Sequence, residues 1–233
     1  EIYLDGNGVT MRRFTDHVAT PEHIAFRVEK REQWEPLKAL LKPGRRRIDF
    51  ASYEAVKKEA DEVGRFFLFS AFSVFELMQS LCGHENLLVG MALDPEWVSD
   101  MANTYAALTV QLAEMLFEEK GYPDGIWLYE DMGYKGSPFM SPKMYCELLQ
   151  PAHKIITAFA KKHNLPVIMH SCGFVEPSYP HLIEAGITCM QALEVKAGMD
   201  LLEIEEKYGD YLCFMGGIDV RALITNDCAK IDR

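Results

Sequence analysis

The chain has 233 residues, 48% of them hydrophobic, and a formal net charge of −11. Its length suits one substantial core in one or two domains. The negative charge argues against nucleic acid or an anionic membrane surface as the main partner, and no apolar run approaches the roughly 18 residues of a membrane span. The six cysteines are scattered and no secretory leader is recognised, so we expect a cytoplasmic protein with a small-molecule substrate.

The first 63 residues differ in pattern from the rest. Residues 2–11 alternate around Asp-Gly-Asn-Gly and predict a hairpin. Thr20-Pro21-Glu22 is typical of a helix start, and residues 31–41 and 52–63 predict amphipathic helices. We therefore expect residues 1–63 to form a hairpin and helices packed on the part formed by residues 64–233.

From residue 65 onward, predicted strands and helices alternate. Short apolar runs predict strands at 66–69, 125–129, 166–169, 187–190 and 211–215. Helices are predicted at 73–82, 95–120, 142–160 and 201–208, with one ending at Gly186 and another beginning at Val220. Continuous apolar strands separated by helices are typical of a parallel sheet built from βαβ units.

A doubly wound sheet and a (β/α)8 TIM barrel both satisfy this alternation. We favour the barrel because no glycine-rich phosphate-binding turn follows a strand. Polar residues also cluster directly after the strands, where barrel enzymes build their active sites. Only five strands are predicted, and the sequence stops at Arg233 soon after the fifth. The expectation is thus a (β/α)8 TIM barrel that is incomplete at its C-terminus, with an N-terminal hairpin and helix extension.

A histidine and a cysteine, two residues apart, end the third predicted strand. If the strand continues through His170 and Cys172, both side chains point to the same side. An imidazole with a thiolate is a pair typical of zinc sites. The alternative is a histidine bonded to backbone beside a small core cysteine. The adjacent Gly173 allows a sharp turn, which favours a site, and we predict that His170 and Cys172 bind a metal.

Acidic residues follow the other strands. Glu130 and Asp131 close the second strand and are candidates for acid–base catalysis, metal binding or substrate anchoring, with helix capping as the alternative. Glu194 follows the fourth strand and Asp219 follows the fifth. We predict catalytic roles for these two residues and for Glu130 and Asp131.

Two adjacent glycines precede Asp219. Gly216 and Gly217 are predicted to let a cofactor approach the backbone closely, and the alternative is a tight turn before a helix cap.

The third metal ligand is left open by the sequence. Cys146, Cys189 and Cys213 are expected to pack in the core, with Cys213 at the opposite end of the barrel. The missing ligand is then supplied by Glu130 or Glu194, or lies beyond the sequence.

Three segments stand in an order that resembles the uroporphyrinogen decarboxylase superfamily. They are Met169-His-Ser-Cys-Gly173, Lys196-Ala-Gly-Met-Asp200 and Phe214-Met-Gly-Gly-Ile-Asp219, and the resemblance covers roughly residues 60–228. It implies a (β/α)8 barrel. His170 and Cys172 match the zinc pair of the methyltransferase branch, whose third ligand is a later cysteine. The Arg-Gln-Ala-Gly-Arg stretch of the decarboxylase branch is not found in the sequence.

The resemblance implies a zinc-dependent methyltransferase that moves a methyl group between a corrinoid protein and a small acceptor or donor. The chain has no Asp-x-His-x-x-Gly stretch of the kind that ligates cobalamin, so corrinoid is expected on a separate partner protein. The first alternative is a cofactor-free decarboxylase of a porphyrinogen-like substrate. The second is a non-catalytic binding module on a barrel scaffold.

Overall fold

A computed structural model describes residues 1–231. The N-terminal part begins with an antiparallel sheet in the order β1-β2-β3, formed by Ile2–Leu4, Thr10–Arg12 and Glu22–Ala25. Helices α1 (Arg31–Lys38) and α2 (Phe50–Val63) follow, with a short 3₁₀ turn between them.

Five parallel strands form the main sheet. Their order across the sheet is the same as their order along the chain. They are β4 (Leu68–Phe72), β5 (Gly125–Tyr129), β8 (Val167–His170), β9 (Cys189–Ala192) and β10 (Cys213–Gly216). A doubly wound sheet would reverse its strand order at a switch point. The steady order is that of a TIM-type barrel. Within residues 1–231 the sheet is open, because its edge strands β4 and β10 do not pair with each other.

Helices connect the strands and cover one face of the sheet. They are α3 (Val74–Cys82), α4 (His84–Leu93), α5 (Pro95–Lys120), α6 (Pro142–Leu148), α7 (Gln150–Lys162), α8 (Tyr179–Glu184), α9 (Leu201–Tyr208), α10 (Val220–Ile224) and α11 (Cys228–Ile231). A small hairpin of β6 (Gly133–Tyr134) and β7 (Ser137–Pro138) follows β5. Asp94 accepts a hydrogen bond from Trp97 N–H at the start of α5, and Asp200 caps α9 in the same way.

The two faces of the sheet have different environments because side chains alternate along each strand. In the three central strands the face toward the helices is buried, as for Ile126, Leu128, Val167, Met169 and Met190. The other face is concave in a barrel and is only partly covered here. On it Phe72, Tyr129 and Met215 are 57%, 40% and 46% exposed.

The N-terminal segment is attached mainly to α5. Trp34 is fully buried, and its indole N–H donates to Asp100 at 2.7 Å, while Lys38 pairs with the other carboxylate oxygen. Tyr53 O–H donates to the carbonyl of Gly121 at the end of α5. These contacts place the extension beside the barrel helices.

Three expectations from the sequence need correction. The segment after Pro21 is strand β3, whose backbone pairs with β2, and not a helix. Cys213 does begin its strand, at the end opposite His170, but it is exposed because its face of β10 is uncovered. Strands β4, β9 and β10 also start two residues later than predicted and β8 one residue later, whereas β5 has the predicted bounds. The apolar runs include residues before the strand that pack in the core, such as Phe67, Ile187 and Leu212, while the backbone ladder continues into polar residues.

Candidate functional site

One row of side chains crosses the carboxyl end of the sheet. Strand register places Phe72 beside Tyr129, Tyr129 beside His170, His170 beside Gln191 and Gln191 beside Met215. All five lie on the concave face, because they share one level of neighbouring parallel strands. The residues that follow this level form the candidate site.

A cluster of three metal-binding groups lies directly beyond this row. His170 Nε2 is 3.3 Å from Cys172 Sγ and 3.4 Å from Asp131 Oδ1. The donor atoms of these three residues all lie within 4.8 Å of one another. The structure therefore brings together His170, Cys172 and Asp131, which the sequence selected separately.

The imidazole of His170 is held in one orientation. Its Nδ1 bonds to the side-chain oxygen of Gln191. Because that oxygen can only accept, Nδ1 carries a proton, and in the neutral imidazole the lone pair is then on Nε2, which faces the cluster. The ring also stacks near Trp127, with centroids 6.3 Å apart, and meets the edge of Tyr129 at 5.5 Å.

The separations within the cluster suit a tetrahedral zinc ion. Bond lengths of about 2.3 Å to sulfur and 2.0–2.2 Å to nitrogen and oxygen give donor separations of about 3.4–3.6 Å at tetrahedral angles. The observed separations of 3.3 and 3.4 Å are close to these. Asp131 Oδ1 also accepts the backbone N–H of Cys172 at 2.7 Å, which ties two of the donors together. Burial, followed by the charges of Asp131 and Glu194, raises the pKa of the Cys172 thiol to about 11.

Two glycines let the β6–β7 hairpin lie directly on the turn that carries Cys172. A Cβ on Gly133 would lie 2.4 Å from the carbonyl oxygen of Cys172, and one on Gly173 would lie 2.3 Å from Gly133 C. Gly173 also has φ +79°, which disfavours any side chain. The buried hydroxyl of Ser171 accepts the N–H of Met132 at 3.0 Å.

Glu130 is fully buried and faces the helices instead of the cluster. Its carboxylate accepts the N–H groups of Phe75 and Glu76 at 3.0 and 3.1 Å, at the start of α3. It also accepts from His153 Nε2 at 2.6 Å, and His153 Nδ1 accepts the O–H of Tyr145 at 2.9 Å. This position suits fixing the first turn of α3. The catalytic role predicted for Glu130 stays a prediction.

Glu194 lies beside the cluster and supports its backbone. Its Oε2 accepts the N–H of Gly173 at 2.7 Å, and its Oε1 pairs with Lys196 at 2.9 Å. Burial would raise the pKa of Glu194, but the hydrogen bonds from Lys196 and Gly173 outweigh it and hold that pKa below its usual range. The carboxylate is thus ionised and engaged on both oxygens.

Asp219 is placed at the start of α10. Its carboxylate accepts the N–H and the guanidinium of Arg221, whose side chain and backbone lower the pKa of Asp219. No contact within residues 1–231 joins it to His170 or Cys172. The catalytic role predicted for Asp219 stays a prediction.

Gly216 and Gly217 are placed where β10 packs most closely on its neighbours. A Cβ on Gly216 would lie 1.8 Å from the carbonyl oxygen of Ala192, and one on Gly217 would lie 2.8 Å from Leu201. Packing accounts for the absence of side chains here. Their predicted contact with a cofactor remains a prediction.

Two residues of the site were missed from the sequence. Gln191 holds His170, and a polar residue in the apolar fourth strand was the available signal. Glu76 lies in the first turn of α3 near Asp131, and burial, with the charges of Asp131 and Glu130, raises its pKa to about 7. Its position after the first strand matches the barrel pattern, in which acidic residues follow successive strands.

The sequence matches the uroporphyrinogen decarboxylase (URO-D) family over residues 6–233. The chain belongs to the uroporphyrinogen decarboxylase family. This confirms the resemblance drawn from the three segments around His170, Lys196 and Asp219. The sequence matches none of the curated proteins with which it was compared.

A solved methyltransferase from Methanosarcina mazei has a similar fold. The TM-score is 0.61 at 13% identity, and the match covers 90% of this chain and 59% of the methyltransferase. At this identity the likeness shows a shared fold, in agreement with the expected barrel. The chain spans less than two thirds of the length of that protein. Within residues 1–231, no helix has the length and apolar character needed to cross a bilayer.

Gly133→Ala tests the contact between the hairpin and the turn that carries Cys172. The added methyl group has no room beside the Cys172 carbonyl, so we expect a loss of about 1–3 kcal/mol in the free energy of unfolding, measured by urea denaturation. Gly44→Ala is the control, because a Cβ there meets open space. Equal urea midpoints for the two variants would contradict the close contact.

Tyr145→Phe tests the buried chain of hydrogen bonds behind Glu130. It leaves Nδ1 of the buried His153 without a donor, and we expect a cost of about 1–3 kcal/mol in the free energy of unfolding. Tyr134→Phe is the control because Tyr134 is 59% exposed. A Tyr145→Phe variant as stable as the control would show that the network contributes nothing measurable.

Proposed function

We propose that this URO-D family chain is a zinc-dependent methyltransferase, or the greater part of one, that moves a methyl group between a corrinoid protein and a small acceptor or donor. The zinc ion is held by His170, Cys172 and Asp131. The corrinoid is carried by a separate partner protein.

The observation that carries the proposal is the convergence of three electron-donating atoms. An imidazole lone pair, a thiol sulfur and a carboxylate oxygen lie within 4.8 Å of one another. None of the lysine and arginine side chains that the structure describes forms an ion pair with Asp131. A divalent cation site requires such a set of donors, and no lysine or arginine among the described residues competes for them.

The surrounding residues fit the same purpose. Gln191 fixes the proton of His170 on the nitrogen that faces away from the cluster, which leaves the other nitrogen ready to bind. Asp131 would supply the third ligand, which the sequence had left open between Glu130, Glu194 and a residue beyond Arg233. A zinc ion bound here with an open coordination position would lower the pKa of a thiol that binds to it. The resulting thiolate is a nucleophile at neutral pH.

The protein's own groups position this centre. Glu194 holds the turn at Gly173, and Glu130 holds the first turn of α3, which carries Glu76 beside Asp131. The concave face beside the cluster is aromatic, with the rings of Phe72 and Tyr129 tilted against each other and their centroids 5.6 Å apart. A small substrate on this face would meet apolar rings on one side and the cluster on the other. Asp219 remains a candidate for orienting the substrate.

The decarboxylase alternative lacks a comparable observation. Such an enzyme would need free arginines near its carboxylates to bind an anionic substrate. The arginine beside Asp219 is Arg221, and its guanidinium is engaged by Asp219 itself.

Zinc content of the purified chain tests the proposal. We expect about one zinc ion per chain by elemental analysis, and a loss of most of it in His170→Ala and Asp131→Ala. Cys213→Ser is the control, since this exposed cysteine lies at the other end of the sheet. Methyl transfer from methylcobalamin to a small thiol should require the metal, disappear with a chelator and return with added zinc.

Two results would contradict the proposal. One is full zinc content in both ligand variants. The other is methyl transfer that continues unchanged in chelated, metal-free protein.

A further inference from the structure

A second cavity lies between the N-terminal hairpin and the barrel helices, and Phe72, at the edge of the concave row, is part of its wall. Its volume is about 600 Å³, within the range of small-molecule sites. The turn at Gly6 and Asn7 forms one side, and α3 and α5 form the other. Seven leucines make up half of the residues that line it. None of Asp131, His170 and Cys172 contributes to this wall.

Two arginines in the cavity wall have no acidic partner within residues 1–231. They are Arg27 and Arg47. Six other arginines pair with carboxylates: Arg12, Arg13, Arg31, Arg45, Arg65 and Arg221. In a chain with net charge −11, two unpaired guanidinium groups beside one cavity are a local reversal of charge.

Backbone contacts hold both guanidinium groups in place. Arg27 donates to the carbonyl oxygen of Asn7 at 3.3 Å, and its side chain lies against Gly8, where a Cβ would come within 3.1 Å of it. Arg47 donates to the carbonyl oxygens of Lys42 and Leu40 at 3.0 and 2.9 Å. A guanidinium has five N–H donors, so both groups keep donors that none of these contacts uses.

Tyr105 completes the polar side of the cavity. Its side chain is 9% exposed and lines the cavity from α5. Burial raises the pKa of Tyr105, and the positive charges of Arg27 and Arg47 act against that rise. The phenol is therefore a neutral hydroxyl close to both guanidinium groups.

We infer that this cavity binds a single-chain amphiphile with one anionic head, a carboxylate or a phosphate. The head pairs with Arg27 and Arg47 and accepts from the Tyr105 hydroxyl, while the aliphatic chain lies among the leucines. Arginine forms two parallel bonds with either head group. The inference assigns a ligand site to the N-terminal extension and is independent of the metal cluster.

Titration calorimetry with octanoate and octyl phosphate tests the inference. The full chain is treated with a chelator first, so that no carboxylate binds through a metal at His170. We expect saturable binding of at least one of the two, with one site per chain, and at least tenfold weaker binding of 1-octanol and of acetate. The tighter of octanoate and octyl phosphate identifies the head group.

Arg27→Met should weaken binding of that anion about tenfold, and Tyr105→Phe should weaken it less. Arg46→Met is the matched control, because Arg46 also lacks a carboxylate partner but does not line the cavity. Circular dichroism confirms that each variant is folded. Octanol binding as tightly as both anions, no saturable binding of either anion, or an equal loss in Arg46→Met would overturn the inference.

Discussion

The parallel register of the sheet is the constraint on which the rest of the structure depends. It places Tyr129, His170 and Gln191 at the same level of three neighbouring strands. The hydrogen bond from His170 to Gln191 and the aromatic contact between Tyr129 and His170 follow from that level. A slip of one residue in β8 would turn His170 toward the helices and put Met169 in the site.

The neighbouring carboxylates Glu130 and Asp131 show how one step along the chain separates two roles. Glu130 faces the core and binds the first turn of α3 and His153. Asp131 faces the concave side and binds the turn at Cys172. A fully buried carboxylate needs several donors to be stable, and the start of a helix supplies them. The same pair therefore anchors a helix in the core and presents an oxygen to the cluster.

The sequence predicted the barrel, the hairpin at residues 2–11 and the strand that carries His170, because apolar runs and helix caps are local signals. It also selected His170, Cys172 and Asp131 individually. It could not assign Asp131 rather than Glu130 to the cluster, because the direction in which side chains point after the end of a strand depends on the turn that follows. Gln191 and Glu76 were missed because their contacts join segments far apart in the chain. The prediction of a helix after Pro21 was wrong because this segment pairs with β2 and forms strand β3.

X-ray absorption spectroscopy of the zinc-loaded chain tests the central claim most directly. The account predicts a four-coordinate ion with one sulfur at about 2.3 Å and nitrogen or oxygen donors at about 2.0–2.2 Å, including one imidazole. It also predicts that the sulfur contribution disappears in Cys172→Ser. A six-coordinate ion surrounded only by oxygen, or a sulfur contribution that persists in Cys172→Ser, would contradict it.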